Sequence, residues 1–402
     1  MAVADYAVLA VAALPFIYYL LVLFCTADYF RTSRKELRES RRLGGDFRPA
    51  VSILKPVKGL DIDAYENYAS FCRLDYPEYE IVFCVDGDDP SLPVIEKLRR
   101  DFPERQIRVL IGSGRNAIND KVARLVRLTA EAKYDLFVIT DSDVRVRPDY
   151  LRSVVAPFRN ERVGAATCLY VSAHARTLAE RLQSIGMTSD FFASVMVAWK
   201  LDGVTFTFGQ TIVTTRGAVQ SWGGYPVLED RPADDLYAGK LAAEQGYEVK
   251  LLPYVVEAVA DFGSFGELLH KRLRWATVQR LMRPWGHMGL IFTFGLPWAI
   301  AAAVTVPTTA VIAGYFGGYA ACRVAMAGMI GGWGMHQREL WKKFPLIPLW
   351  DLLAFAIWLA SFTRRTIRWR GVDYLMRDGK FVSATPAGAK GASVDTEKAA
   401  GT

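Results

Sequence analysis

The stretch DLFVITDSDVRVRPDYL (135–151) runs an apolar segment, Leu136, Phe137, Val138 and Ile139, directly into two aspartates one residue apart, Asp141 and Asp143. Two carboxylates this close repel each other unless a cation or a proton lies between them. A strand end with a solvated turn accounts for the residue types, because Asp and Ser are common in turns. A metal site at the carboxyl end of a parallel strand accounts for them too, since open α/β sheets place their ligands there. The triplet alone leaves both readings open, and its surroundings have to decide.

Outward from it, from Val51 to about Val259, the pattern is α/β. VSILKPV (51–57), EIVFCVD (80–86), IRVLIGS (107–113), DLFVITD (135–141) and VGAATCLYV (163–171) are short runs rich in β-branched and aromatic residues. AYENYASFCRL, SLPVIEKLRRDF and DKVARLVRLTAEA, which read as helices, separate the first four. Alternation at this spacing predicts a Rossmann-like, mainly parallel sheet covered by helices, in a domain over residues 50–285. Two of the strands end in acid, at Asp86-Gly-Asp88-Asp89 and at Asp141-Ser-Asp143. Parallel strands point the same way, so these ends can share one edge of the sheet.

The rest of the chain is of a different kind. Hydrophobic residues make up 51% of the 402 and charged residues 23%, with a mean hydropathy of +0.13. That mixture predicts a soluble part joined to a membrane part. Residues 5–25, DYAVLAVAALPFIYYLLVLFC, have the length to cross a bilayer and are followed by RTSRKELRESRR (31–42). A cleavable signal has the reverse polarity. The segment is therefore expected to be a retained anchor, over residues 1–30, with the chain from residue 31 on the cytosolic side. Residues 287–306 and 309–331 are two more apolar segments, and Arg323 inside the second is expected to snorkel to the interface. FPLIPLWDLLAFAIWLASF (344–362) carries Pro345, Pro348 and Asp351 between two basic flanks. A re-entrant or interfacial segment is expected there, within a membrane region over 287–362. Residues 383–402 read as a disordered tail. The net charge of +7 gathers beside the apolar segments, which favours a membrane surface and argues against a nucleic-acid partner. The five cysteines are scattered, as buried thiols in a reducing compartment would be.

Two further clusters precede the carboxy-terminal apolar segments. Asp234 and Asp235 lie where a helix would begin, so they serve either as helix caps or, facing an acceptor hydroxyl, as a general base. LLHKRLRWATVQRLMRP (268–284) is a basic amphipathic segment at a membrane entrance.

Taken in order, the strand-end acids at 86–89, Asp-Ser-Asp at 141–143, Asp-Asp at 234–235 and Arg274-Trp275 resemble the motifs of processive-type glycosyltransferases of the GT-A fold. Within that group the chain resembles the ceramide glucosyltransferases, and hopanoid glycosyltransferases almost as well. VSILKPVKGLD (51–61), LDYPEYEIVFCVDGDDP (74–90), INDKVARL (118–125) and LRWATVQR (273–280) carry the resemblance. It implies an inverting, membrane-bound enzyme that moves glucose from UDP-glucose to ceramide or a similar lipid, forming a glycosphingolipid. It places Asp88, with Asp86 and Asp89 as neighbours, by the uridine. Asp141 and Asp143 become the ligands of Mg²⁺ or Mn²⁺, Asp235 the base beside Asp234, and Arg274 and Trp275 lie near the diphosphate and the acceptor. Lys55 and Lys121 are further candidates for nucleotide contacts. Lys271 stands where the family has Gln or Arg, keeping the charge but not the planar fork or the amide. The eukaryotic ceramide enzymes carry Gly where Asp143 stands, and a His near Asp190. The first difference strengthens the metal pair, and the second bears on which lipid is accepted. A polyhydroxylated hopanoid acceptor and an inactive nucleotide-sugar-binding scaffold remain the alternatives. A processive polysaccharide synthase would need more spanning helices.

Overall fold

The computed structural model describes residues 2–43, 47–115, 117–173, 175–259, 264–369, 372–377 and 380–383. Strands β1 (Val51–Pro56), β2 (Tyr79–Val85), β3 (Gln106–Ile111), β4 (Leu136–Ile139), β5 (Val144–Arg145), β6 (Val163–Ala173), β7 (Ile212–Thr215) and β8 (Glu248–Val259) form one sheet in the order β3-β2-β1-β4-β7-β6-β8-β5. The first four are parallel neighbours, as are β6 and β8. Only β7 and the short β5 run against their neighbours. The mainly parallel α/β sheet read from the sequence is present, and so are the helices Ala64–Cys72, Leu92–Asp101 and Asp120–Glu131 between its first four strands.

The central strands are buried along their whole length, which is why they read as unbroken apolar runs. Alternate residues serve opposite faces: Ile53, Ile81, Phe83 and Val138 pack into one core, Leu54, Val82, Phe137 and Ile139 into the other. The topology brings the carboxyl ends of β1, β2 and β4 to one edge. The antiparallel β7 starts at that edge, and the helix Asp234–Glu244, which leads into β8, begins there.

Among the described residues three helical runs are long and apolar enough to cross a membrane, Val3–Glu39, Thr309–Gly334 and Leu340–Ser361. A fourth is a pair, Pro284–Thr293 and Gly295–Thr305, bent by 54°. The helix predicted over 5–25 continues as helix through the basic run to Leu43, with a break only at Ala13. Arg323 does not snorkel. It is buried, and its guanidinium pairs with Asp351, which also accepts from Tyr319 Oη at 2.8 Å, while a further arm donates to the Ser189 carbonyl. Each residue supplies the counter-charge that makes the other tolerable in an apolar setting. Pro348 sits at the start of the helix Ile347–Ser361, where its missing N–H leaves no bond unmade.

Both ends of that last apolar run are tied to the part of the chain that carries the sheet. Lys343 Nζ donates to Ser184 Oγ at 2.6 Å, and Arg280 donates to the Arg364 carbonyl. The chain then forms a small antiparallel sheet of β9 (Ile367–Trp369), β10 (Val372–Arg377) and β11 (Lys380–Ser383). Strand β11 docks on the loop before Asp234: Phe381 N donates to the Asp230 carbonyl at 2.7 Å, and Lys380 Nζ lies 2.8 Å from Asp230 Oδ2. Of the expected tail, only Ser383 falls within the described residues. All five cysteines are free thiols, four of them buried.

Candidate active site

Each acidic cluster owes its place to a strand or helix end at the shared edge. Asp141 follows β4, and its backbone N–H donates to the Gly209 carbonyl at 3.1 Å. Gly209 in turn donates its own N–H to Asp235 Oδ2 at 3.0 Å. One residue of the loop before β7 therefore ties the second acidic cluster to the third. The approach is so close that a Cβ on Gly209 would lie 2.7 Å from Asp141 Oδ2.

A second tie is ionic. Lys121, in the first turn of the helix Asp120–Glu131, places Nζ 2.7 Å from Asp141 Oδ1 and 3.3 Å from Asp234 Oδ2. Asn119, whose side-chain oxygen caps that helix, donates through Nδ2 to Asp234 Oδ1 at 3.2 Å. Asp235 accepts from the Leu236 N–H at 2.8 Å, and Thr207 Oγ1 holds its carbonyl at 2.5 Å. Burial, and then the neighbouring Asp234 charge, push the Asp235 carboxyl up to about 6, with Lys121 opposing the rise. A carboxylate in that range is a stronger base than an ordinary aspartate and is still ionised at neutral pH.

Asp143 is the less satisfied of the β4 pair. Its Oδ1 is buried with no hydrogen-bond partner. Burial first, then the charges of Asp141 and Asp61, raise this carboxyl to about 7, partly offset by Lys271 and Lys55. An orphaned carboxylate oxygen beside a second carboxylate suits Mg²⁺ or Mn²⁺, which take hard oxygen ligands. Among the described residues no group of three or more Asp, Glu, His and Cys gathers as a metal site, so such an ion would need other oxygens as well.

The remaining sequence candidates separate. Lys55 is fully buried, its Nζ donating to Thr140 Oγ1 at 2.8 Å and to the Asp141 carbonyl at 3.2 Å, 3.8 Å from the centroid of the Phe71 ring. Burial pulls this amine down to about 7. What it touches is the underside of the β4 end. Asp86 is engaged by Arg124 at 2.6 Å, and Asp89 shapes its own turn by accepting from Gly59 N and Ser91 N. Asp88 alone of the three stands exposed beyond β2. Lys271 and Trp275 share a face of the helix Phe265–Met282, the ammonium 5.5 Å from the indole centroid. Burial lowers the Lys271 amine while Asp143 supports it. Arg274 lies half-buried on the same helix.

Sequence reading missed Gly209, Asn119, Asp61 and Arg272. Asn119 carried a usable signal, as a cap residue just before a helix. Asp61 ends a stretch already singled out, VSILKPVKGLD, and its charge reaches Asp143 and Lys55. Arg272 lies between two indoles, 5.2 Å from Trp275 and 4.6 Å from Trp350, with Nε donating to Gln183 Oε1 at 2.7 Å. Nothing in its own motif distinguishes it from Arg274.

With this geometry in hand, comparison with known proteins is informative. A family model described as "Glycosyl transferase family 21" matches residues 7–382. Ceramide glucosyltransferase 3 of Caenorhabditis elegans is 24% identical over 251 residues, covering 59% of this chain and 52% of that protein. Beta-monoglucosyldiacylglycerol synthase of Trichormus variabilis is 24% identical over 276 residues, 65% and 57% of the two chains. The chain thus spans about half the length of these two relatives. Among solved structures, it aligns with the mannosyltransferase PcManGT from Pyrobaculum calidifontis in complex with GDP-Man and Mn²⁺. The TM-score is 0.49 with 18% identity, over 86% of this chain and 99% of that one.

Proposed function

Because the chain belongs to glycosyl transferase family 21, we propose that it is an inverting glycosyltransferase of the membrane that moves glucose from UDP-glucose to ceramide or a ceramide-like lipid. The observation that carries this reading is the pair of ties through Gly209 and Lys121. They hold the strand-end carboxylate Asp141 and the helix-start carboxylates Asp234 and Asp235 at one edge of the sheet. Helix caps alone do not require that convergence.

In the proposed reaction Asp235 accepts the proton of the acceptor's primary hydroxyl. The hydroxyl oxygen forms a bond to the anomeric carbon as the bond from that carbon to the diphosphate breaks, so the configuration inverts and UDP leaves. The raised affinity of Asp235 for a proton suits it to this step. Asp88 is assigned to the uridine, and Arg274 to the diphosphate, where a planar fork binds two oxygens at once. Trp275 is assigned to the acceptor side. Asp141 and Asp143 would hold Mg²⁺ or Mn²⁺, which when bound neutralises the diphosphate leaving group.

The same reading places the domain on the cytosolic face. The basic extension of the first helix follows the apolar segment, as cytosolic flanks do. With β11 docked on Asp230, the membrane is crossed an even number of times between β8 and β9. We assign the two crossings to the bent pair 284–305 and to 309–334, and lay the helix 340–361 along the membrane surface.

The test is purified protein in detergent with labelled UDP-sugars and a lipid extract. The expected product is a glucolipid with a sphingoid aglycone, lost on chelation and restored by Mg²⁺ or Mn²⁺. A hopanoid or diacylglycerol aglycone would replace the acceptor and keep the chemistry. Binding of UDP-glucose without transfer to any lipid would make the chain a scaffold.

A further inference from the structure

A cation of the protein's own, Lys121, faces Asp141 and Asp234. Lys121 Nζ sits 2.7 Å from one of these carboxylates and 3.3 Å from the other. It is also close enough to Gly209 that a Cβ there would lie 3.2 Å from it. Resting on the reading above, we propose that Lys121 is a stand-in cation. It keeps the second and third acidic clusters together until the donor arrives, and then exchanges partners.

The charges require an exchange of this kind. Asp141, Asp143, Asp234 and Asp235 meet at this edge, and Lys121 is the ammonium bonded to two of them. A divalent ion entering alone on Asp141 and Asp143 must share Asp141 with that ammonium, which sets the lysine next to a double positive charge. At a few ångströms such repulsion is strong in a partly shielded site. A metal that arrives with a diphosphate brings the compensating anion, because the ammonium released by Asp141 gains phosphate oxygens. The site then admits metal and nucleotide together and discriminates against free metal. The lysine stem, rooted in the first turn of a helix whose cap Asn119 also holds Asp234, keeps the ammonium within reach of both states.

The experiment compares wild-type protein with Lys121→Met and Lys121→Gln, the second keeping a hydrogen-bond donor without the charge. Free Mn²⁺ is followed by electron paramagnetic resonance as protein is added, with and without UDP. Without nucleotide, both variants are expected to bind Mn²⁺ at least tenfold more tightly than wild type. With Mn²⁺ saturating, both are expected to bind UDP at least tenfold more weakly. Lys121→Arg keeps the charge and serves as the folding control, with Mn²⁺ binding no tighter than wild type. If neutral variants bind free Mn²⁺ no better than wild type while Mn²⁺ and UDP still bind together, the stand-in role is wrong and the transferase reading stands. If no form binds Mn²⁺ with UDP, both fall. Should Lys121→Met fail to fold, Lys121→Gln decides alone.

Discussion

Gly209→Ala is the substitution on which the geometry of this site makes its sharpest claim. Gly209 is not among the residues with positive φ, so its backbone accepts alanine and only the added methyl matters. That methyl carbon would lie 2.7 Å from Asp141 Oδ2 and 3.4 Å from Asp141 Cγ. Non-bonded heavy atoms sit best at roughly 3.5–4.0 Å, so the overlap is roughly 0.8 Å or more. Overpacking costs about 1–3 kcal/mol when neighbours cannot move. Here Asp141, with its side chain 31% exposed, can swing outward, which keeps the loss of stability near the lower end, about 1 kcal/mol. The swing is what harms function. It lengthens the 2.7 Å ion pair with Lys121 and displaces a proposed metal ligand by about 1 Å, a misplacement that costs about 10²-fold in rate. The assay is single-turnover transfer with thermal unfolding measured on the same preparation. Gly217→Ala is the control, because nothing lies within 4 Å of its Cβ position and a helical Gly→Ala change is worth up to about 1 kcal/mol of added stability. A Gly209→Ala protein that transfers sugar at the wild-type rate would refute the reasoning, and with it the placement of Asp141 at the reacting centre.

The other expectations are more compact. Asp235→Asn should lower the single-turnover rate by about 10²–10⁴-fold with UDP affinity little changed; the same loss in Asp234→Asn alone would shift the base by one residue. The rate should rise with pH through about 6 and level off above it, since Asp235 is pushed to about 6 and only its ionised form accepts a proton. Asp234→Asn removes the second cause of that rise, so its profile should move to lower pH; a limb that moves upward assigns the titration elsewhere. Arg323→Met and Asp351→Asn should each lower stability in detergent by about 3–5 kcal/mol, with the double change Arg323→Met/Asp351→Leu recovering most of it; near-neutral single variants would mean that the buried pair is dispensable. For topology, a lone cysteine at Pro307 should react with an impermeant reagent on intact cells and one at Ser383 should not. The opposite pattern would invert the assignment.

How much of this was legible in the chain depends on the distance over which each feature is decided. Strands β1, β2, β4 and β6 could be read because both faces are covered over most of their length, leaving apolar runs, and the edge strand β3 because its Ile and Val residues cluster in one short run. Strand β8 was hidden by Pro253, beside which its pairing with β6 skips from Leu252 to Val255, so no simple alternation survives. Strand β7 is as short as β4 but ends in two threonines, so its four residues give no apolar run. The aspartates announced themselves by type and spacing. Gly209 could not, because its value lies in a backbone approach between segments far apart in the chain. Arg323 was misread for a similar reason: its partner Asp351 is 28 residues away, and each looked like an isolated defect of its own apolar segment.

The docking of β11 on Asp230 also sets a clock. The loop before Asp234 leaves the ribosome well before Lys380 and Phe381, which supply two of its bonds. Between those moments come all the carboxy-terminal apolar helices. A chain is synthesised at about 5–20 residues per second and its domains tend to fold as they emerge, so the sheet has several seconds of head start on its last clasp. Through that interval the loop that leads into the helix of the proposed base lacks the two Asp230 contacts. The nascent chain therefore gains its final bonds at this loop only after the helices that hold it at the membrane have been made.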